Sequence, residues 1–370
     1  MFDIFCGKRF IAIVAVCITP WWLGSNVVAT TTNLSSPTDV PAAAYEHAQT
    51  LIAFPDGRRL NLFCIGTGTP VVILEAGGGD DSLTFRRVQG RLSTVTRVCS
   101  YDRAGMGFSD PSGLPNTAAH IVSDLHGLIN QADLPKPVVL VGHSDGGLYA
   151  SLYAAYFPHE VAGLVMIDPN NLGLDMAAEK VLDRPWLKKW RASDQADIKQ
   201  ARRCFALAKK GALMRAPTRY PNCMDDPPNA DLALHRLLNT QLAKPSEQEA
   251  LLTELLDTYP QSDGGLSNAE LTLQHAHFHF DDKPLIVLSS TNEQRGMPSA
   301  LRAKVINAIL ANQADLAAHS TQGKQIFVNI STEYIQTYQP DLVVHAVTEV
   351  VDIVRKQATS RNAGFIPEKN

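Results

Sequence analysis

The sequence lacks a basic excess. It carries 33 Lys and Arg against 37 Asp and Glu, a formal net charge of -4, which excludes the positive face that non-specific nucleic-acid binding needs. It has no long charge run, no low-complexity tract and no repeat at the periods of solenoids. It also lacks an apolar run of the roughly 20 residues that cross a bilayer. No G-x-G-x-x-G is present, so a dinucleotide has no glycine cradle. What it does have is 45% apolar residues over 370 positions, enough to pack one large domain or two small ones.

The amino terminus has the layout of a targeting segment. Lys8 and Arg9 precede an apolar stretch from Phe10 to Ile18, which breaks at Thr19-Pro20, and Val27-Val28-Ala29 resembles a small-residue cleavage site. Residues 1–29 are therefore expected to be a secretory signal, with an uncleaved membrane anchor as the alternative. Residues 30–44, rich in Thr, Ser and Pro, read as a linker. An exported chain, periplasmic or secreted, follows. Removing the leader removes Cys6 and Cys17 and leaves Cys64, Cys99, Cys204 and Cys223. An even count in an oxidising compartment suggests disulfides, with buried thiols as the alternative, and four cysteines admit three pairings.

Beyond the linker, short apolar runs alternate with helical patterns. Strands are expected at 59–65, 70–74, 97–101, 137–141 and 161–167. Thr117 is a candidate N-cap for a helix through Gln131, whose Ile121, Leu125 and Leu128 share one face. From 170 to 279 helical segments dominate, and Ser246-Glu247-Gln248-Glu249 reads as a capping box. The strand pattern resumes at 284–288, a helix is expected over 299–318, a strand over 324–330, and Pro340 opens a closing helix. This order implies an α/β fold with a mostly parallel central sheet, helices on both faces and a helical cap insertion. The expected boundaries are 45–169 and 280–358 for the core, 170–279 for the cap and 359–370 for a tail.

The strongest local signal is Gly142-His143-Ser144-Asp145-Gly146, set between a buried strand and a helix. A sharp strand-to-helix turn forces the serine into strained backbone and projects its hydroxyl from the sheet end. The helix amino terminus beneath it favours developing negative charge. A second signal is Ala76-Gly77-Gly78-Gly79 after another strand. A tetrahedral intermediate needs two preorganised amide donors, and those of Gly78 and Asp145 are the candidates.

With these motifs in place the chain resembles the α/β-hydrolase superfamily, and more closely a group of exported bacterial hydrolases. The resemblance rests on Ile73-Leu74-Glu75-Ala76-Gly77, on Cys99 through Pro111, on Gly142 through Gly147 and on Ile167-Asp168-Pro169. It implies a serine nucleophile at Ser144, an acid at Asp168 or Glu293, and a histidine after the last strand. It also implies that the strands of Cys64 and Cys99 are neighbours, so that a Cys64–Cys99 bridge is reasonable. Cys204 and Cys223 would then staple the cap. At the histidine position this chain has Glu333. A glutamate near its ordinary value is about two units weaker as a base than histidine, roughly 3 kcal/mol of driving force, unless burial beside another carboxylate raises it. His143 is expected to point away from Ser144. His275, His277 and His279 alternate before a strand, and Asp102 and Arg103 read as a structural ion pair.

Two readings follow. One is a serine hydrolase acting on a small, partly apolar ester or amide, in a pocket supplied by the cap with Trp186 and Trp190. It would need no cofactor or metal, would bind no nucleic acid, and would meet a membrane only if the leader is retained. The other is a catalytically inactive pseudohydrolase that binds a ligand or partner.

Overall fold

The computed structural model describes residues 39–224, 232–260, 264–292, 296–330 and 332–363. The expected leader, most of the expected linker, Glu293 and residues 364–370 lie outside them. Among the described residues, eight strands form one sheet: β1 Thr50–Ala53, β2 Arg59–Ile65, β3 Val72–Glu75, β4 Val98–Tyr101, β5 Val138–His143, β6 Val161–Ile167, β7 Leu285–Ser290 and β8 Gly323–Val328. Their order is β1-β2-β4-β3-β5-β6-β7-β8. β1 and β2 run antiparallel to their neighbours, and the rest are parallel.

The helices are α1 Arg86–Leu92, α2 Ala118–Gln131, α3 Asp145–Tyr156, α4 Leu174–Val181, α5 Arg184–Lys209, α6 Ala212–Arg215, α7 Leu232–Leu242, α8 Pro245–Thr258, α9 Asn268–Ala276, α10 Ser299–Ala317, α11 Ile335–Tyr338 and α12 Pro340–Ala363. The closing helix thus runs past the expected core end at 358. The central strands are buried on both sides, as parallel strands covered by crossover helices must be. Their alternation divides the core. Ile73, Leu140, Leu164 and Val287 meet α2, α3 and α9 on one face. Val72, Val141, Val165 and Ile286 meet α1 and α12 on the other. Strand order reverses between β3 and β5, so their outgoing loops diverge and open a crevice at the carboxyl ends.

Between β6 and β7 the described chain is helical, α4 to α9. The Cys204–Cys223 disulfide closes a 19-residue separation there, which the loop-entropy relation values at about 3 kcal/mol. Cys64 and Cys99 are register partners on β2 and β4 and are bridged. Helix α8 straps the cap to the core through its acids. Glu247 accepts from the Gly107 amide (2.9 Å), and Asp257 accepts from the Ala118 amide (2.7 Å) at the start of α2. Among the described residues, no helix is long and apolar enough to cross a membrane.

Several expectations need correction. The capping box is not at Ser246. Pro245 occupies the first turn of α8 and fixes its entry, so Ser246 falls inside the helix, and Glu247 turns to Gly107 instead. The capping box is at Ser267 and Glu270, at the start of α9. The expected linker ends early: Asp39 and Val40 are buried, and Asp39 pairs with Arg87 (3.3 Å) and Arg91 (3.0 Å). His275 and His277 sit at the end of α9, ahead of β7, and His279 lies beside Asp281. Trp190 is buried against Ala178 and Val305, and Trp186 lies under the Lys189 ammonium, so both rings are engaged in packing.

Candidate active site

The elbow is built where β5 meets α3. All six residues of β5 are buried, and the chain then reverses through Ser144 at φ 51°, ψ -120°. A side chain in that region costs of order 1–3 kcal/mol and persists only where the surroundings over-determine it. Here the Ser144 amide donates to the Ile167 carbonyl (3.0 Å), and its carbonyl accepts from Gly147 and Asn170 (both 2.9 Å). A Cβ on Gly142 would strike the Gly146 backbone, and one on Gly146 would strike the Glu75 and Ala76 carbonyls. Both glycines are required by close approach.

The glycine loop after β3 lies against this turn. A Cβ placed on Gly77 would stand 3.3 Å from the Ser144 Cβ, and one on Gly78 would meet the Asp145 carboxylate. Gly78 and Asp145, the residues expected to supply the two oxyanion donors, are therefore neighbours. Arg103, almost fully buried, holds the loop from behind. It donates to the Ala76 (2.8 Å), Gly77 (2.6 Å) and Asp80 (3.2 Å) carbonyls. It pairs with Glu75 (3.1 Å) and with Glu254 of α8 (2.9 Å). Glu254 also accepts from the Gly79 amide (2.9 Å). The expected Asp102–Arg103 pair does not form: Asp102 accepts instead from Asn61, Ser82 and Phe108.

Glu333, after β8, comes to Ser144. The serine hydroxyl is among the groups that act on its carboxylate. Burial pushes its pKa up to about 7; His143 pulls it down, and Asp168 and Asp80 push it further up. Asp168, after β6, is buried at φ 42° and accepts from the Ser290 amide (3.2 Å) and the Gln313 side chain (3.0 Å). It faces both Glu333 and His143 electrostatically. Of the two candidate acids, Asp168 is thus brought to the site and Glu293 is not described. Asn292, beside it, is exposed.

His143 departs from expectation. Its ring and the Ser144 Cβ both border Gly77, so the two side chains share the space under the loop. Asp80 Oδ2 lies 3.6 Å from its Nδ1, and the Tyr334 ring centroid is 4.9 Å away. Asp80, Tyr334 and Glu254 were missed in the sequence. Asp80 follows three glycines directly and Tyr334 follows Glu333, and adjacency to those motifs was the available signal. Glu254 reaches the loop from 151 positions beyond Arg103, and only the fold could reveal that.

A model of the alpha/beta hydrolase family matches residues 71–322, more than half of the chain. This chain belongs to the alpha/beta hydrolase family. The match includes the elbow and the glycine loop and ends before Glu333. Over 133 residues this α/β hydrolase is 32% identical to 2-hydroxy-6-oxo-2,4-heptadienoate hydrolase of Pseudomonas putida, covering 35% of this chain and 47% of that one. An uncharacterized protein of Schizosaccharomyces pombe is 41% identical over 85 residues, 23% of this chain and 16% of that one. The hydrolase spans less than half the length of these curated relatives. Among solved structures, a haloalkane dehalogenase of Agrobacterium tumefaciens aligns at TM-score 0.61 and 18% identity, over 83% of this chain and 97% of that one. A thermophilic esterase of Thermogutta terrifontis aligns at TM-score 0.51 and 20% identity, over 82% and 97%. These two show the fold.

Proposed function

We propose that this α/β hydrolase cleaves small, partly apolar esters or amides through Ser144, with Glu333 as its base. The observation that carries this reading is a carboxylate raised to about 7 beside Ser144, in the company of His143, Asp168 and Asp80. A serine hydroxyl is a poor nucleophile without a neighbour to take its proton, and a base works best with a pKa near the working pH. An ordinary glutamate falls short of histidine by about two units. Burial beside Asp168 and Asp80 closes that gap.

Ser144 Oγ forms a bond to the substrate carbonyl carbon as its proton passes to Glu333. The carbonyl oxygen becomes the oxyanion, received by the Gly78 and Asp145 amides and by the amino end of α3. As the bond to the leaving oxygen or nitrogen breaks, Glu333 returns the proton to it. Water then attacks the acyl group, giving Glu333 a proton that restores the serine. Asp168 keeps the proton affinity of Glu333 high. Two disulfides favour an oxidising, exported location.

A fluorophosphonate probe is expected to label the wild type and not Ser144→Ala. Glu333→Gln, which keeps the shape and removes the base, is expected to lower ester kcat/KM by about 10³-fold or more. Glu333→His is expected to retain or raise it. The Asp145 carboxylate beside Gly78 favours a second reading, ligand binding without turnover, since negative charge there opposes an oxyanion. An unlabelled wild type that gains nothing from Glu333→His would select it.

A further inference from the structure

We propose that His143 is a positioning residue of this site: its imidazole, backed by Asp80, holds the proton that Glu333 must give up to serve as base for Ser144. The inference rests on the proposed role of Glu333. It says where the imidazole missing from position 333 has gone: the elbow supplies one from the residue before the nucleophile.

The geometry is specific. His143 is 1% exposed, and neither ring nitrogen has a hydrogen-bond partner among the described residues. The nearest acceptor is Asp80 Oδ2, 3.6 Å from Nδ1, and that oxygen is likewise unpaired. Asp80 is steadied on its other side by the Tyr334 hydroxyl (3.5 Å to Oδ1), and the Tyr334 ring covers the imidazole. A Cβ on Gly77 would lie 2.8 Å from Nδ1, so the glycine makes room for the ring.

Charge balance then decides where the proton sits. The groups facing His143 are Asp80, Glu333 and Asp168; those facing Glu333 are His143, Asp168, Asp80 and the Ser144 hydroxyl. Arg103, behind the loop, is taken up by Glu75 and Glu254. One imidazole therefore stands among three carboxylates. Burial alone would leave it neutral. The surrounding carboxylates outweigh burial and raise its pKa above 6.5. A proton on His143 lowers that of Glu333, whereas a neutral ring would leave Glu333 protonated between Asp168 and Asp80 and unable to accept from Ser144.

The test reads the proton directly in the full-length protein. Ring-nitrogen NMR of ¹⁵N-histidine protein, with His143 assigned by its loss in His143→Gln, is expected to show a doubly protonated ring at about pH 6.5. Carboxyl-carbon NMR is expected to place the Glu333 midpoint about one unit higher in His143→Gln than in wild type. The acid limb of ester kcat/KM should move up with it, lowering the rate about tenfold at a pH below both midpoints. A neutral wild-type ring at that pH overturns the proposal without recourse to any variant. So does an unmoved Glu333 midpoint in folded His143→Gln. Failure of fluorophosphonate labelling would instead remove the catalytic reading of Ser144 and Glu333, leaving the NMR midpoints to report the proton's location.

Discussion

A glutamate where a histidine is expected changes what limits the site at each pH. In the proposed mechanism Glu333 must be ionised to accept from Ser144, and burial raises its pKa to about 7. The rate kcat/KM should therefore rise about tenfold per pH unit on the acid side and level off above that value. A midpoint near the ordinary carboxylate value of 4.5 would show that burial does not tune the group. Asp145 acts in the opposite sense on the same reaction. Its carboxylate accepts from Asn170 and borders Gly78, where negative charge opposes the oxyanion. Asp145→Asn keeps an acceptor for Asn170 and removes the charge, so kcat should rise about fivefold, on the order of 1 kcal/mol. An unchanged or lower kcat in a normally folded variant would place the carboxylate outside the reacting field. Ser144, Gly78 and Glu333 were legible because each occupies a fixed place relative to a strand end. Asp168 was named as a candidate acid from its strand end, but the crowd around Glu333 was not legible: Asp80 comes from the glycine loop and His143 from the end of β5, and sequence spacing carries no information on their convergence.

At the scale of elements, α8 makes the cap and the glycine loop one mechanical unit. Its Glu254 takes both the Arg103 guanidinium and the Gly79 amide; Glu254 and Arg103 are buried and Gly79 is half-buried. Removing one partner of a buried pair leaves an uncompensated charge, at a cost of about 3–5 kcal/mol. Glu254→Ala is thus expected to lose that much stability in urea unfolding. Glu254→Gln, which still accepts from Gly79, should lose less and should lower kcat more than it changes KM, since in the proposed mechanism the loop receives charge that exists only in the transition state. A wild-type unfolding midpoint in Glu254→Ala would break the link between cap and loop. The elements themselves were largely readable. The Thr117 cap, the helix opened by Pro340 and the alternating strands follow local rules that tertiary packing does not override. The misplaced capping box shows the limit. Ser246 has the right neighbours, but Pro245 sets the start of the helix two residues earlier than a cap at Ser246 would, and the acids of α8 are drawn to partners on the core.

For the molecule as a whole, the reversal of strand order at β3 and β5 gathers the functional loops at one end, and carboxylates accumulate beneath them. Burial pushes Glu75, Asp81 and Glu333 up to about 7 and Glu247 to about 8, and raises Asp257 as well. The folded protein therefore keeps protons that the unfolded chain releases near its ordinary values of 3.8 and 4.5. Where the native state binds more protons, stability falls as pH rises. The stabilising increment is fully present below about pH 4 and is lost progressively up to about pH 8. His143, raised, acts in the same direction over the upper part of that window, while His319, lowered by burial, opposes it. Glu160 and Asp56, both lowered, act below their ordinary values and leave the neutral range alone. The melting temperature is accordingly expected to decline between about pH 5 and 8. Glu247→Gln should flatten the upper end of that decline, because its window extends highest and its carboxylate has the acids Asp81 and Asp102 nearby. Calorimetric scans across that range decide the matter: a melting temperature that climbs with pH would mean that these carboxylates are ionised in the folded protein, and Glu333 with them.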